Sequence, residues 1–262
     1  MEVQVVGIDC ATEDAKVGIA CGRAVDTGLR VERALLCSRD ESAAETVTSW
    51  VRATDVPTLL AVDAPLGWPL ALAQALGAHR AGDAIATDAN KMFRRETDRF
   101  VKTRLGKTPL DVGADRIART AHAALRLLGD LRSRLAADVP LAWTPNLVAT
   151  VSAIEVYPAA TLVGHGFRAG GYKQRERLAE RREIIACLQA IASLPDDLSS
   201  MERSADALDA VVCLLAAHDF LRGEAMPPEN HVLATGEGWI WAKARTESNS
   251  TVQLTRAAGP RR

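Results

Sequence analysis

Three short apolar runs, separated by turn-forming residues, dominate the first forty positions of the chain. The runs VQVVGID (3–9), KVGIACGRAV (16–25) and LRVERALLC (29–37) have the length and the β-branched content of strands. The stretches between them, 11–15 and 26–28, are too short for a helical crossover. We therefore predict three strands that pair in an antiparallel meander.

Helical and apolar segments follow this meander. SAAETVTSWVRA (42–53) predicts a helix, with Ser42 as the N-cap and Glu45 in the capping-box position. The continuous apolar run PTLLAVDA (57–64) is typical of a buried parallel strand reached through a helical crossover. The apolar periodicity of residues 114–138 predicts a long amphipathic helix.

The second half of the chain predicts one more strand and two more helices. TVSAIEVYP (150–158) is strand-like and ends at Pro158, whereas residues 174–194 and 204–223 are helical. Two short strand-like pieces, HVLAT (231–235) and GWIWAKA (238–244), come near the end. The polar stretch 246–262 predicts a flexible tail.

The order of these elements is similar to that of the RNase H-like fold. It predicts an α/β protein with a mixed five-stranded sheet, in which three antiparallel strands are followed by parallel strands, flanked by helices. A single RNase H-like domain is expected to cover residues 1–245. A helical insertion, about 67–145, then separates the fourth and fifth strands.

Composition excludes some classes of protein. Hydrophobic residues make up 48% and charged residues 25% of the chain, and the net charge of −1 provides no overall basic surface. No stretch approaches the roughly 20 apolar residues of a membrane span. The five cysteines form no CxxC pair and no export signal is present, which predicts reduced thiols and a cytoplasmic location.

Four aspartates are the main candidates for chemistry. Asp9 and Asp63 each end a strand, and Asp206 and Asp209 lie on one side of the last long helix. In an RNase H-like sheet the first and fourth strands are neighbours, and the last helix packs against them. Carboxylates that meet without a cation repel one another, so the set predicts a two-ion site for Mg²⁺ or Mn²⁺.

Each acid also has a structural interpretation. Asp63 precedes Ala-Pro and fits a turn, and Asp206 near a helix start suits the helix dipole. Asp209 is harder to explain structurally because it lies deep in an apolar helix. Glu155, inside the fifth strand, is a further candidate. It could be a metal ligand, a hydrogen-bond acceptor that supports the ligands, or an exposed edge residue.

Two local basic clusters, at 91–107 and 172–182, could contact phosphate. We expect Arg95 and Lys173, which lie next to turn-like or aromatic residues, to bind the phosphate of a substrate. Arg177, Arg181 and Arg182 alternate with glutamates and are expected to pair with them on the surface.

Several strings along the chain resemble the signature blocks of domain-of-unknown-function family 429, whose members are described as predicted nucleases of RNase H-like fold. The strings are GIDCA (7–11), VDAPLGW (62–68), RRETDR (94–99), EVYPAATL (155–162), GYK (171–173), DALDAVVCLLAA (206–217) and EGWIW (237–241). The layout of the acids is also similar to that of bacterial Holliday-junction resolvases. Those enzymes commonly have Glu at the position of Asp63.

The leading interpretation is therefore a metal-dependent nuclease or phosphodiesterase, a hydrolase that acts on nucleic acid or another phosphodiester and has no membrane partner. Two alternatives stay open. An actin-like-fold nucleotide-binding phosphotransferase shares the strand order, but the first turn, Asp9-Cys10-Ala11-Thr12, lacks the glycine of such phosphate loops. The other alternative is a non-catalytic scaffold protein that has this fold but no activity. The sequence leaves the oligomeric state open.

Overall fold

The computed structural model describes residues 2–38, 41–113 and 115–245. In these ranges the strands are β1 (Val3–Asp9), β2 (Gly18–Val25), β3 (Gly28–Leu36), β4 (Thr58–Asp63), β5 (Val151–Glu155) and β6 (Ala192–Ser193). The helices are α1 (Ala43–Arg52), α2 (Leu70–Gly77), α3 (Ala89–Phe93), α4 (Glu96–Leu105), α5 (Asp115–Leu135), α6 (Pro158–Gly164), α7 (Leu178–Gln189), α8 (Ser199–Arg203), α9 (Ala205–Leu221) and α10 (His231–Glu237). The predicted tail, 246–262, lies outside the described residues.

The strands form one mixed sheet in the order β5-β4-β1-β2-β3-β6. β1, β2 and β3 pair in antiparallel fashion, while β4 is parallel to both β1 and β5. The α/β class and the antiparallel meander are thus confirmed. The sheet has six strands rather than the predicted five, because Ala192 and Ser193 pair with Leu29 and Arg30 at the start of β3.

β1 lies inside the sheet and is buried on both faces. Side chains alternate along a strand, so Val3 and Val5 enter the core that includes α9. Val6 and Ile8 enter the opposite core, which includes apolar residues of α1 and α5. The continuous apolar run at the N-terminus therefore reflects burial on both faces of the sheet.

Helix α9 rests directly on the sheet because two strand positions carry no side chain. A Cβ atom at Gly7 would overlap the carbonyl oxygen of Ala210, and one at Gly18 would overlap the carbonyl oxygen of Asp206. The backbone of α9 can therefore approach β1 and β2 closely. This approach brings the start of α9 to the edge of the sheet where β1 ends.

The insertion between β4 and β5 contains α2 to α5. The long helix predicted at 114–138 is confirmed as α5, which packs its apolar face, including Leu128 and Leu131, beneath the sheet. Helix α2, by contrast, has no fully buried residue. No helix in the described part of the chain is both long and apolar enough to span a membrane.

Two predictions near the C-terminus are wrong. HVLAT is the helix α10, not a strand, because the side chain of Asn230 accepts a hydrogen bond from the Leu233 backbone N–H and caps it. GWIWAKA contributes only isolated bridges, between Ile240 and Glu155 and between Lys243 and Ala225. Pro158, predicted to end a strand, is instead the first residue of α6, a position that suits proline.

Candidate functional site

Asp9 and Asp63 are direct neighbours at one edge of the sheet. They are paired residues of the parallel strands β1 and β4, and each is the last residue of its strand. Parallel strands end at the same edge, so both carboxyl groups lie there, partly buried. The predicted proximity of these two acids is confirmed.

Helix α9 brings the other two aspartates to the same edge. Ser204 caps the helix by accepting a hydrogen bond from the Ala207 N–H. Asp206 is in the first turn and is half-buried, whereas Asp209 is fully buried. Asp209 therefore joins Asp9 and Asp63 in an acidic cluster, and Asp206 lies at its rim.

Tyr172 and Lys173 hold the buried Asp209. The Tyr172 hydroxyl donates to Asp209 Oδ1 at 2.6 Å, and Lys173 Nζ lies 2.6 Å from Asp209 Oδ2. The side chain of Lys173 is 60% exposed, so its ammonium reaches inward from the surface. Lys173, predicted as a phosphate contact, thus lies at the acidic cluster. The role of Tyr172 was not predicted, although it directly precedes Lys173.

The loop that carries these two residues is fixed by a buried arginine. Arg181 donates to the carbonyl oxygens of Tyr172 at 2.7 Å and Gln174 at 2.8 Å. The predicted surface role of Arg181 is therefore wrong, because its guanidinium is buried in hydrogen bonds to backbone carbonyls. The predicted surface pairing is confirmed for Arg177, which pairs with Glu180. Arg182 also forms a surface ion pair, but with Glu202 of α8 and not with a glutamate of its own segment.

The carboxyl groups of the acidic cluster resist ionisation. Burial and the charges of Asp63 and Asp209 hold the pKa of Asp9 well above its usual range. Burial raises the pKa of Asp63 to about 7, with a further contribution from Asp209 that Lys173 opposes. Burial also raises the pKa of Asp209. Burial lowers the pKa of Lys173, but the charges of Asp209, Asp63 and Asp9 outweigh it and raise that pKa overall.

One ammonium faces three clustered carboxyl groups, so the cluster attracts additional positive charge. Its donors are all carboxylate oxygens, the ligands that Mg²⁺ and Mn²⁺ prefer. In the described ranges, however, no group of three or more His, Cys, Asp or Glu side chains is arranged to hold a metal ion. The Lys173 ammonium bound to Asp209 would have to give way to such an ion.

Arg95 and Glu155 belong to a different buried network, which we call the arginine network (Arg95, Asp98 and Glu155). Arg95 is 1% exposed, and its two terminal nitrogens bind Glu155 Oε1 at 2.6 Å and Oε2 at 2.8 Å. The same guanidinium donates to Asp98 Oδ1 at 2.9 Å. The phosphate contact predicted for Arg95 is therefore wrong, because these hydrogen bonds occupy its donors.

The carboxylate oxygens of Glu155 are likewise engaged in hydrogen bonds. Its Oε2 also accepts a hydrogen bond from the Leu66 N–H at 2.9 Å. Burial raises the pKa of Glu155, and the charge of Arg95 opposes this effect. Glu155 thus acts as the acceptor for Arg95 behind the acidic cluster. It is not free to serve as the predicted metal ligand.

A cavity of about 410 Å³, which we call the carboxylate cavity, lies over the acidic cluster. Asp9, Asp63 and Lys173 line its floor together with Tyr157, whose pKa is raised by burial and by the charge of Asp63. Its other wall comes from the insertion and includes Pro109, Leu110, Ile117 and Thr120. The insertion therefore covers the carboxyl groups and confines the space in front of them.

Comparisons with known proteins add one family. A family described as "Protein of unknown function (DUF429)" matches residues 7–232. No curated protein matches the chain. One solved structure, from a structural study of the Aquifex aeolicus PPX-GPPA enzyme, aligns with 94% of this chain and 97% of that chain at 11% identity, with a TM-score of 0.17. A TM-score this low carries no argument about fold or function.

Proposed function

We propose that this chain, which belongs to the DUF429 family of proteins of unknown function, is a divalent-metal-dependent phosphodiesterase that acts on nucleic acid. The observation that carries this proposal is the convergence of Asp9, Asp63 and Asp209 at one sheet edge, where all three have raised pKa values. Perturbed carboxyl groups that line a cavity are typical of functional sites.

The strand order supports an RNase H-like fold beneath this site. Three antiparallel strands, β3-β2-β1, continue into the parallel strands β4 and β5. The first and fourth strands are adjacent, and the last long helix crosses them, as in that fold. Likeness of fold alone does not establish an activity, so the proposal depends on the acids.

Asp9, Asp63 and Asp209 would hold Mg²⁺ or Mn²⁺, with Asp206 at the rim. A metal ion bound there would activate water and stabilise the charge that develops on the phosphate. Lys173, displaced from Asp209, is long enough and exposed enough to contact a phosphate oxygen. Tyr172 would keep Asp209 oriented through its hydroxyl. The covering insertion would limit the access of bulk water.

Removal of one acid tests the proposal. We expect Mn²⁺ at a hundredfold excess over its Kd to stabilise the wild-type protein by about 2.7 kcal/mol, and Asp9→Asn to abolish that response. Metal-dependent cleavage of an oligonucleotide should fall at least about 100-fold in the same variant. Thermal unfolding with and without Mn²⁺, and a cleavage assay, measure both effects.

The variant is expected to fold, because Asn is neutral and Asp9 already resists ionisation. Asp83→Asn makes the same substitution at an exposed loop position and should retain the Mn²⁺ response. Cleavage retained in purified Asp9→Asn protein would contradict the proposal, as would a wild-type protein that Mn²⁺ does not stabilise.

A further inference from the structure

A second cavity, of about 600 Å³, adjoins the one over the acidic cluster. It lies between the start of α1 and the exposed face of α5, and we call it the α5 groove. Cys10, the residue after Asp9, lines both cavities. Helix α5 forms a shared wall, because Ile117 and Thr120 line the carboxylate cavity while Arg119 and His122 line the groove.

A stripe of basic side chains follows this wall. Arg119, His122 and Arg126 are spaced by three and four residues, so they lie on one face of α5, and all three are exposed. Within the described residues, none of these three side chains forms a hydrogen bond or an ion pair. Arg134, farther along the same face, is 3.5 Å from Glu45.

Two acids also line the α5 groove, Asp14 and Asp130. Asp130 lies beyond Arg126, in the direction that leads away from the carboxylate cavity. Along α5 the unpaired basic side chains therefore come before Asp130 and nearest to Ile117 and Thr120, which line the cavity over the acids. An anionic ligand that enters the carboxylate cavity would meet these side chains next.

We infer that the α5 groove binds the backbone of a single-stranded nucleic acid, one phosphate of which reaches Asp9 and Asp63. This inference rests on the proposed function and names the form of its substrate. Successive basic residues are about one helical turn, ~5.4 Å, apart along a single line, which suits one phosphate backbone. The wall formed by Pro109 and Leu110 leaves about 410 Å³ over the acids, which suits a small ligand or one nucleotide and not the face of a duplex.

Binding without cleavage tests the inference. Fluorescence anisotropy in EDTA would compare labelled oligothymidylate, oligouridylate and a duplex of equal length across several salt concentrations. We expect Arg119→Ala/Arg126→Ala to weaken binding of a single strand at least about 10-fold. The slope of log K against log salt should fall in magnitude by about 1.4, which is about 0.7 for each lost phosphate contact.

The matched control is Arg33→Ala/Arg80→Ala, which removes the same charge from two exposed positions outside both cavities. It should bind a single strand as the wild-type protein does. The inference is overturned if the Arg119/Arg126 variant binds as tightly as this control, or if a duplex binds more tightly than a single strand.

The inference and the proposed function can fail separately. Metal-dependent cleavage of a small phosphodiester, without binding of a single-stranded nucleic acid, would contradict the inference and leave the proposed function intact. Strand binding that depends on Arg119 and Arg126, without any Mn²⁺ response, would support the groove and contradict the metal site.

Discussion

Two buried groups of charge lie beside the same cavity, and they differ in how many of their carboxyl groups are bonded to a cation. In the arginine network, one guanidinium makes hydrogen bonds to both Asp98 and Glu155, at distances of 2.6–3.2 Å. In the acidic cluster, a single ammonium, that of Lys173, serves Asp9, Asp63 and Asp209. The arginine network is buried from solvent, whereas the lysine that contacts the acidic cluster is more than half exposed.

This difference separates a structural from a functional arrangement of charges. The arginine network satisfies its donors within the chain, so a ligand would gain little by entering it. The acidic cluster has one ammonium for three carboxyl groups, and the raised pKa values of Asp9 and Asp63 reflect the cost of ionising them. A cation from solution would relieve that cost. Burial and charge alone therefore do not distinguish the two groups. What distinguishes them is that Asp9 and Asp63 have no cation bonded to them within the described part of the chain.

The largest effect on stability is expected from breaking the arginine network. Arg95→Met should destabilise the protein by about 3–5 kcal/mol, because it leaves Glu155 and Asp98 buried without their cation. Chemical denaturation measures the loss. The neighbouring Arg94, partly exposed and paired with Asp111, is the control, and Arg94→Met should cost less than about 1 kcal/mol. If Arg95→Met kept wild-type stability but lost phosphate binding, the phosphate contact predicted for Arg95 from the sequence would be supported after all.

The acidic cluster should make stability depend on pH. The pKa of Asp63 is about 7 in the folded protein and 3.8 ordinarily, so the folded state binds more protons between these values. Its stabilising contribution is complete below pH 3.8 and is lost as the pH rises through about 7. In EDTA, the free energy of unfolding of Asp63→Asn should therefore rise relative to that of wild type as the pH increases. The expected gain is a few kcal/mol, because one pKa unit corresponds to about 1.4 kcal/mol.

Urea unfolding of both proteins, below and above pH 7, measures this gain. Asp83→Asn, at an exposed position that does not line the cavity over the cluster, provides the matched comparison. A stability difference between wild type and Asp63→Asn that does not change with pH would show that burial and the neighbouring charges do not raise the pKa of Asp63.

A smaller change is expected at Lys173. Lys173→Met removes the ion pair with Asp209 and should destabilise the metal-free protein by about 1–2 kcal/mol, a modest loss because the lysine is more than half exposed. The same change removes the competitor for a metal ion, so Mn²⁺ should raise the melting temperature more than in wild type. An unchanged Mn²⁺ shift would mean that the ammonium and the ion occupy different places.

The sequence predicted well the two strand ends that carry Asp9 and Asp63. Apolar runs that stop at Asp9 and Asp63 fix both the strands and the edge at which the acids lie, because parallel neighbours end together. The same holds for Asp209, whose place in an apolar helix has few structural explanations. Local patterns mark these positions, and the expected strand order then brings them to one edge of the sheet.

The pairing of Arg95 with Glu155 could not be predicted in this way. The two residues are 60 positions apart, and their contact depends on how the insertion folds over β5. The short run HVLAT failed for another reason: its β-branched residues favour a strand, but the Asn230 cap and the packing of Ala234 favour a helix. The charged residues alone did not reveal which arginines are buried.

The two glycines beneath α9 bear on how this chain can evolve. Gly7 and Gly18 let backbone touch backbone, so the distance from Asp209 to Asp9 does not depend on the size of any intervening side chain. Substitutions that repack the two cores would shift neighbouring side chains and leave this spacing nearly unchanged. The sequence around the acids could therefore diverge widely while the geometry of the site is inherited intact.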